Sequence, residues 1–260
     1  MTESWDHRIR RAEHFAAADA ATSPLLAFYA RLLRQQKALN DTFNAERPSG
    51  SIDRDLAFIA ANSSAMLNDV AGHGPDQLAA EARALLDRGH SAILDLLREY
   101  WEARSDRAFF AKALLQPYGQ WLAEAGLSPI EQRRVHTDKS CPHCGGAPQV
   151  SILEAVTAMS GDGSSRRLQC ASCLTTWPFR RVVCPHCGED DERKLAYFQS
   201  PAFDHIRVDA CDSCRRYLKN VDLTRLGLAV PLVDEIAAAA LDAWALDHGY
   251  VKIELNLLGL

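Results

Sequence analysis

SCPHCGG, residues 140 to 146, is the stretch on which the reading of this chain turns. A Cys-Pro-His-Cys tetrapeptide can be the reactive dithiol of a thiol oxidase, or it can be half of a metal site. The tetrapeptide and its following glycine return at residues 184 to 188. Two further Cys-x-x-Cys pairs complete the set: Cys141/Cys144, Cys170/Cys173, Cys184/Cys187 and Cys211/Cys214. Twenty-five residues separate the first two pairs, ten the middle two and twenty-three the last two. The region is an internal repeat, and its simplest grouping is two tandem units of four cysteines each. All eight cysteines fall inside these pairs, so none is left over as a stray core residue.

Two residues between cysteines let a tight turn aim both sulfurs at one ion. Gly145 and Gly188 permit positive φ, which turns backbone N–H groups toward the thiolates. A second such turn, brought alongside by a hairpin, completes a tetrahedron. Four thiolates suit zinc or a single iron better than an iron–sulfur cluster. Such an ion also supplies folding free energy that a unit of about 40 residues cannot draw from its own core. The expected ligands are therefore Cys141, Cys144, Cys170, Cys173, Cys184, Cys187, Cys211 and Cys214. Chain order groups the first pair with the second and the third with the fourth, and an interleaved grouping has the same ligand count.

The dithiol reading fares worse. A catalytic Cys-x-x-Cys opens a helix, whose dipole stabilises the thiolate. Gly-Gly-Ala-Pro follows Cys144 and Gly-Glu-Asp-Asp-Glu follows Cys187, both poor helix starts. His143 and His186 lie inside the knuckles and are expected to be solvated, because four sulfurs already fill a closed site.

Three arginine pairs, Arg166-Arg167, Arg180-Arg181 and Arg215-Arg216, lie near cysteine pairs. They raise the alternative of a zinc-ribbon module that binds nucleic acid or protein. Residues 137 to 220, however, carry 11 Lys/Arg against 10 Asp/Glu, a balance of +1. That is too little for a phosphate-binding face, so the arginines read as solvated, with a groove for an acidic protein segment as the next use. No phosphate loop, nucleophile elbow or HExxH motif is present, so no enzymatic site is read.

Residues 1 to about 135 follow helical spacing. Ser23 is read as a cap with Pro24 at the first helical position, followed by Leu25, Phe28, Tyr29, Leu32 and Leu33. Gly74-Pro75 opens a helix with Leu78, Ala82, Leu85 and Leu86 on one face, and Gly89 stops it. Ser91 is read as the cap of a helix bearing Ile93, Leu96, Leu97, Tyr100 and Trp101. Pro117 is expected to break a helix carrying Phe109, Phe110, Leu114 and Leu115. Ser128 to Glu131 reads as a capping box. A bundle of five or six helices results. After it, Gln149 to Leu153 is β-prone, Pro231 to Tyr250 reads as one Ala-rich helix, and the last ten residues as a strand or docked tail.

The predicted fold class is α plus small β: a helical bundle, then two tandem rubredoxin-like or zinc-ribbon-like modules and a C-terminal helix. The boundaries are residues 1–135 for the bundle, 136–178 and 179–222 for the modules, and 223–260 for the helix and tail. A formal charge of −5 argues against general nucleic-acid or membrane-surface binding. No segment approaches the roughly 18 apolar residues of a membrane span, and the charged N-terminus lacks the apolar core of a signal peptide. A cytoplasmic location is expected, where structural disulfides are rare.

Four stretches carry a resemblance: CASCLTTWPFRRVVCPHCG at 170–188, VDACDSCRRYLK at 208–219, FFAKALLQPY at 109–118 and DHGYVKIELNLLGL at 247–260. Together they resemble the FdhE family, the formate dehydrogenase accessory proteins. The resemblance spans most of the chain and is weakest over the first 90 residues. It implies a cytoplasmic protein that is not itself an enzyme. Such a protein binds the catalytic subunit of a respiratory formate dehydrogenase before export through the twin-arginine route. It also implies iron, two ions per chain in rubredoxin-like sites held by the eight cysteines, with a redox role. Zinc is the alternative, Trp177 and Tyr217 would pack beside the sites, and homo-oligomerisation is left open.

Overall fold

The computed structural model describes residues 4–18, 21–105, 108–127, 138–158 and 161–260, of which 157, 158, 161 and 162 are described by backbone alone. The chain divides near residue 133 into two compact units. The capping box read at Ser128 to Glu131 lies outside the described residues.

The first unit contains seven helices among the described residues: α1 (Trp5–Ala18), α2 (Ser23–Glu46), α3 (Ile52–Ala61), α4 (Ser64–His73), α5 (Asp76–Arg88), α6 (His90–Glu102) and α7 (Phe109–Glu124). The sequence pattern locates α2, α5, α6 and α7, while it does not single out α1 or the short pair α3 and α4, ten residues each. The apolar face of α2, with Leu26, Phe28, Leu32, Leu33 and Phe43, is buried against α1 and α7. Asp55 of α3 is 2% exposed yet fully engaged. Its carboxylate accepts from the Ser49 and Gly50 backbone N–H groups, the Ser49 hydroxyl and the Tyr118 hydroxyl, at 2.7 to 2.8 Å. Burial raises the Tyr118 pKa, and the Asp55 bond adds to the effect.

Three local expectations are corrected. Thr22 rather than Ser23 stands at the cap of α2, with no side-chain capping bond. Gly89 closes α5 as expected, at φ 77°, but it also precedes α6, so Ser91 lies within that helix. Pro117 does not break α7, which runs from Phe109 to Glu124 with the proline inside. A proline at this point removes the N–H that the Ala113 carbonyl would accept. The Gln36 amide of α2 replaces that donor, 2.9 Å from the Ala113 carbonyl oxygen. Gln36→Leu should therefore cost about 1–3 kcal/mol by leaving a buried carbonyl unmet. Urea denaturation of Gln36→Leu, Pro117→Ala and the double variant checks this. The Pro117→Ala background supplies the missing N–H and should shrink the Gln36 cost.

The second unit is a seven-stranded sheet among the described residues, backed by two helices. Its strands are β1 (Pro148–Ala158), β2 (Gly161–Cys170), β3 (Thr176–Phe179), β4 (Leu195–Gln199), β5 (Ile206–Cys211), β6 (Arg216–Asp222) and β7 (Val251–Lys252). The order is β3-β2-β1-β6-β5-β4, with β7 also on β6. The internal repeat is visible in this order. β1, β2 and β3 form one antiparallel set, and β4, β5 and β6 form a second with the same connectivity. The sets join where β1 runs parallel to β6, from Val150 opposite Lys219 to Leu153 opposite Asp222.

One face of the sheet, with Val150, Ile206, Val208, Ala210, Tyr217 and Val221, packs on α8 (Pro231–Ala237) and α9 (Ala239–Asp247) through Ala238, Leu241 and Ala245. The single helix expected over Pro231 to Tyr250 is thus divided at Ala238. Lys219 explains the break, because its ammonium donates to the Glu235 carbonyl, the group an unbroken helix would pair with the Ala239 N–H. The C-terminal tail is docked, with Asn256 and Leu257 buried.

His205, immediately before β5, lies 2.8 Å from the buried Asp234 carboxylate and 3.4 Å from Asp204. The Asp234 bond raises its pKa above the ordinary value, against the opposing effect of burial, with Asp204 a lesser contributor. The protonated form is favoured on folding. The pair's contribution is therefore complete below about pH 6.5 and is lost as pH rises through the higher folded pKa. The urea midpoint of the second unit should fall over that range, and His205→Gln should flatten the fall. An equal slope in the variant would refute the assignment.

Candidate metal centres

Each cysteine pair sits in a turn, Cys170/Cys173 and Cys211/Cys214 at the ends of β2 and β5 and the other two in the segments that precede β1 and β4, and all four turns share one backbone. The residue after the second cysteine has positive φ: Gly145 at 68°, Leu174 at 59°, Gly188 at 87° and Arg215 at 56°. Glycine takes this conformation freely, whereas Leu174 and Arg215 hold it at a cost of roughly 1–2 kcal/mol each. The sequence signal for these two is their position, which matches the glycines of the first and third pairs. The turns close with bonds such as Gly145 N–H to the Cys141 carbonyl at 2.8 Å and Arg215 N–H to the Cys211 carbonyl at 2.8 Å. The backbone N–H groups of Ser172 and His186 point at the sulfurs of Cys170 and Cys184, each at 3.4 Å.

The turns meet in chain order. Cys141, Cys144, Cys170 and Cys173 form one group, and Cys184, Cys187, Cys211 and Cys214 the other, with all four sulfurs of each within 4.8 Å of one another. In the first group Cys141 and Cys173 lie 3.5 Å apart and Cys144 and Cys170 3.4 Å apart. In the second the corresponding distances are 3.8 Å for Cys184–Cys214 and 3.7 Å for Cys187–Cys211. A tetrahedron with metal–sulfur bonds of about 2.3 Å has edges of roughly 3.8 Å. The two distances in the second group match that edge, those in the first are slightly shorter, and all others fall within 4.8 Å, so both groups could hold a metal ion. None of the eight is in a disulfide. Neither Cys-Pro-His-Cys opens a helix, so the helix dipole that a catalytic dithiol uses is missing at both.

The two groups differ in surroundings. The first is wholly buried and continuous with an apolar cluster of Leu168, Trp177, Phe179, Val183 and Leu218 on the sheet face away from α8 and α9. The second is open at one side, where Cys187 is exposed and Cys214 half-buried. Burial pushes the Cys170 thiol well up, and the adjacent sulfurs push it further. Burial likewise raises Cys214. Four thiolates so close need a cation to coexist, which is what the donor set itself implies.

Trp177 packs in the first cluster as the resemblance implies, donating its indole N–H to the Asp138 carbonyl at 2.9 Å. Tyr217 is corrected. It lies in the opposite cluster, facing the helices, and donates to Asp242 at 2.6 Å. His186 is exposed as expected, whereas His143 is half-buried and its pKa is lowered by that burial. Arg166 is not a solvated arginine. Its side chain is 4% exposed, donates to the Ser151 hydroxyl at 2.8 Å and the Val183 carbonyl at 3.1 Å, and faces Asp209 at 3.4 Å.

Among the described residues no helix is long and apolar enough to cross a membrane. Residues 182–258 match the family model described as FdhE, C-terminal domain. The "Protein FdhE homolog" of Aquifex aeolicus is 34% identical over 197 residues, covering 75% of this chain and 68% of that protein. The homolog of Stutzerimonas stutzeri is 29% identical over 150 residues, 58% of this chain and 47% of that protein. The chain thus spans from about half to two thirds of these relatives. The crystal structure of the FdhE protein from Pseudomonas aeruginosa superposes with a TM-score of 0.68 over 99% of this chain and 97% of that one, at 24% identity, a likeness of fold. Motif order, paired four-sulfur groups and a relative matched over two thirds of its length agree, and the chain belongs to the FdhE family.

Proposed function

We propose that this protein is a maturation factor that binds the catalytic subunit of a respiratory formate dehydrogenase in the cytoplasm before export. In this reading its eight cysteines hold two mononuclear metal ions, with iron ahead of zinc. The observation that carries it is the convergence of the cysteines in two fours rather than in reactive pairs. A centre closed by four sulfurs leaves no coordination position for a substrate, which suits a structural or one-electron role and a protein that works by binding. The ion would supply the cation that lets four thiolates share one site, and the knuckles and their N–H groups orient the sulfurs around it. The openness of the second group at Cys187 favours a redox contribution there, because an exposed ligand brings the centre within a partner's reach.

Two measurements test the reading. Tagged protein should retain the dehydrogenase catalytic subunit from cytoplasmic extract, and Cys184→Ser should reduce that capture. Capture of no dehydrogenase subunit, with both metals in place, sinks the maturation role. Visible absorption that bleaches reversibly on reduction supports iron with a redox role, whereas a colourless, zinc-loaded protein removes it and leaves the binding role standing.

A further inference from the structure

On the sheet face away from α8 and α9, an open cavity of about 230 Å³ lies between residues 181–185 and strands β4 and β5. Its wall brings together Arg166, Arg181, Arg207 and Arg216 against one carboxylate, Asp209. That carboxylate is already engaged, with Arg207 Nε donating to it at 2.7 Å and Arg166 Nη2 meeting it only as an ion pair at 3.4 Å. Arg207 also leans over the ring of Tyr197, 5.1 Å from its centroid. Cys184 and Cys211 line the same cavity, so an occupant would sit beside the second four-sulfur group.

Arg166 gives the cavity its chemical character. It is almost wholly buried, and its Nε and Nη1 are bonded to Ser151, Val183 and Arg181. Its Nη2, buried too, makes no hydrogen bond, its contact with Asp209 being the ion pair alone. A buried guanidinium with an unmet donor is costly unless an acceptor arrives. Balancing the charge of nearby thiolates would explain why arginines gather here, but it would not give Nη2 a hydrogen-bonded acceptor, which the ion pair with Asp209 does not supply either.

We infer that this cavity binds a small free oxyanion, of the carboxylate or phosphate class, held by guanidinium groups beside the second four-cysteine group. Planar guanidinium forks match such anions in charge and geometry. The inference is independent of the maturation role.

The test uses the full chain with its metals as purified, titrated calorimetrically at low ionic strength with inorganic phosphate and with acetate. Saturable binding of at least one is expected. Arg181→Gln and Arg216→Gln, at the cavity wall, should each weaken it about tenfold, the effect of losing one charge-assisted bond. Arg193→Gln, an exposed arginine outside the cavity, should leave it unchanged. The absence of saturable binding of either anion overturns the inference. So does equal weakening by Arg193→Gln, which would mean diffuse attraction. So does binding of an oligoglutamate peptide that neither free anion displaces.

Discussion

Cys170→Ser is expected to remove one metal ion per chain and unfold much of residues 138–260, while the helices between Trp5 and Glu124 persist. Cys170 is fully buried at the end of β2, 3.4 Å from Cys144, and its group is continuous with the apolar cluster around Trp177. Serine keeps the volume but offers a hydroxyl where a thiolate is needed. Structural four-ligand sites contribute roughly 10–16 kcal/mol in small zinc modules. That matches or exceeds the whole stability of a typical domain, about 5–15 kcal/mol. Cys184→Ser, in the more open group, should also lose one ion but only loosen its knuckles, because β5 and β6 remain packed on α8 and α9. Metal content per chain together with near- and far-ultraviolet circular dichroism separates the outcomes. A Cys170→Ser protein with two ions and unchanged stability would refute the assignment of ligands.

The second large effect lies on the helix-covered face of the sheet. Lys219 and Lys252, both buried, face the buried carboxylates of Glu235 and Asp242. Tyr217 donates to Asp242 and Asn256 to Glu235 at 2.6 and 2.8 Å. This network ties β6, β7, both helices and the tail together. Burial lowers the Lys219 pKa, opposed chiefly by Glu235. Glu235→Ala leaves two buried ammonium groups sharing one carboxylate and should cost about 3–5 kcal/mol. Glu235→Leu combined with Lys252→Met removes a charge of each sign and should recover most of that loss. Urea denaturation followed by the β signal measures both. A loss below about 1 kcal/mol for Glu235→Ala would mean that water reaches the ammonium groups.

Local patterns were readable in proportion to how local their causes are. Gly89 ends a helix because its backbone alone can do so, and the strand at Gln149 to Leu153 follows from β-prone residues. Pro117 misled because its remedy, the Gln36 amide, comes from a different helix 81 positions away in the chain. The long C-terminal helix misled in the same way, since Lys219 of β6 captures a carbonyl within it. Arg166 looked like surface for want of any sign that Ser151, Val183 and Asp209 would enclose it. Tyr217 stands near Cys214 in sequence, but strand alternation turns it to the opposite face.

The number of sulfurs, their grouping into knuckles and the left-handed glycines after Cys144 and Cys187 were set by sequence alone, since two intervening residues and one backbone conformation are short-range covalent geometry. The parallel seam of β1 and β6, the sealed first group beside an open second, and the guanidiniums gathered at one cavity were decided only in three dimensions. Each depends on which distant surfaces exclude water from one another, a property of the packed sheet and of no single segment.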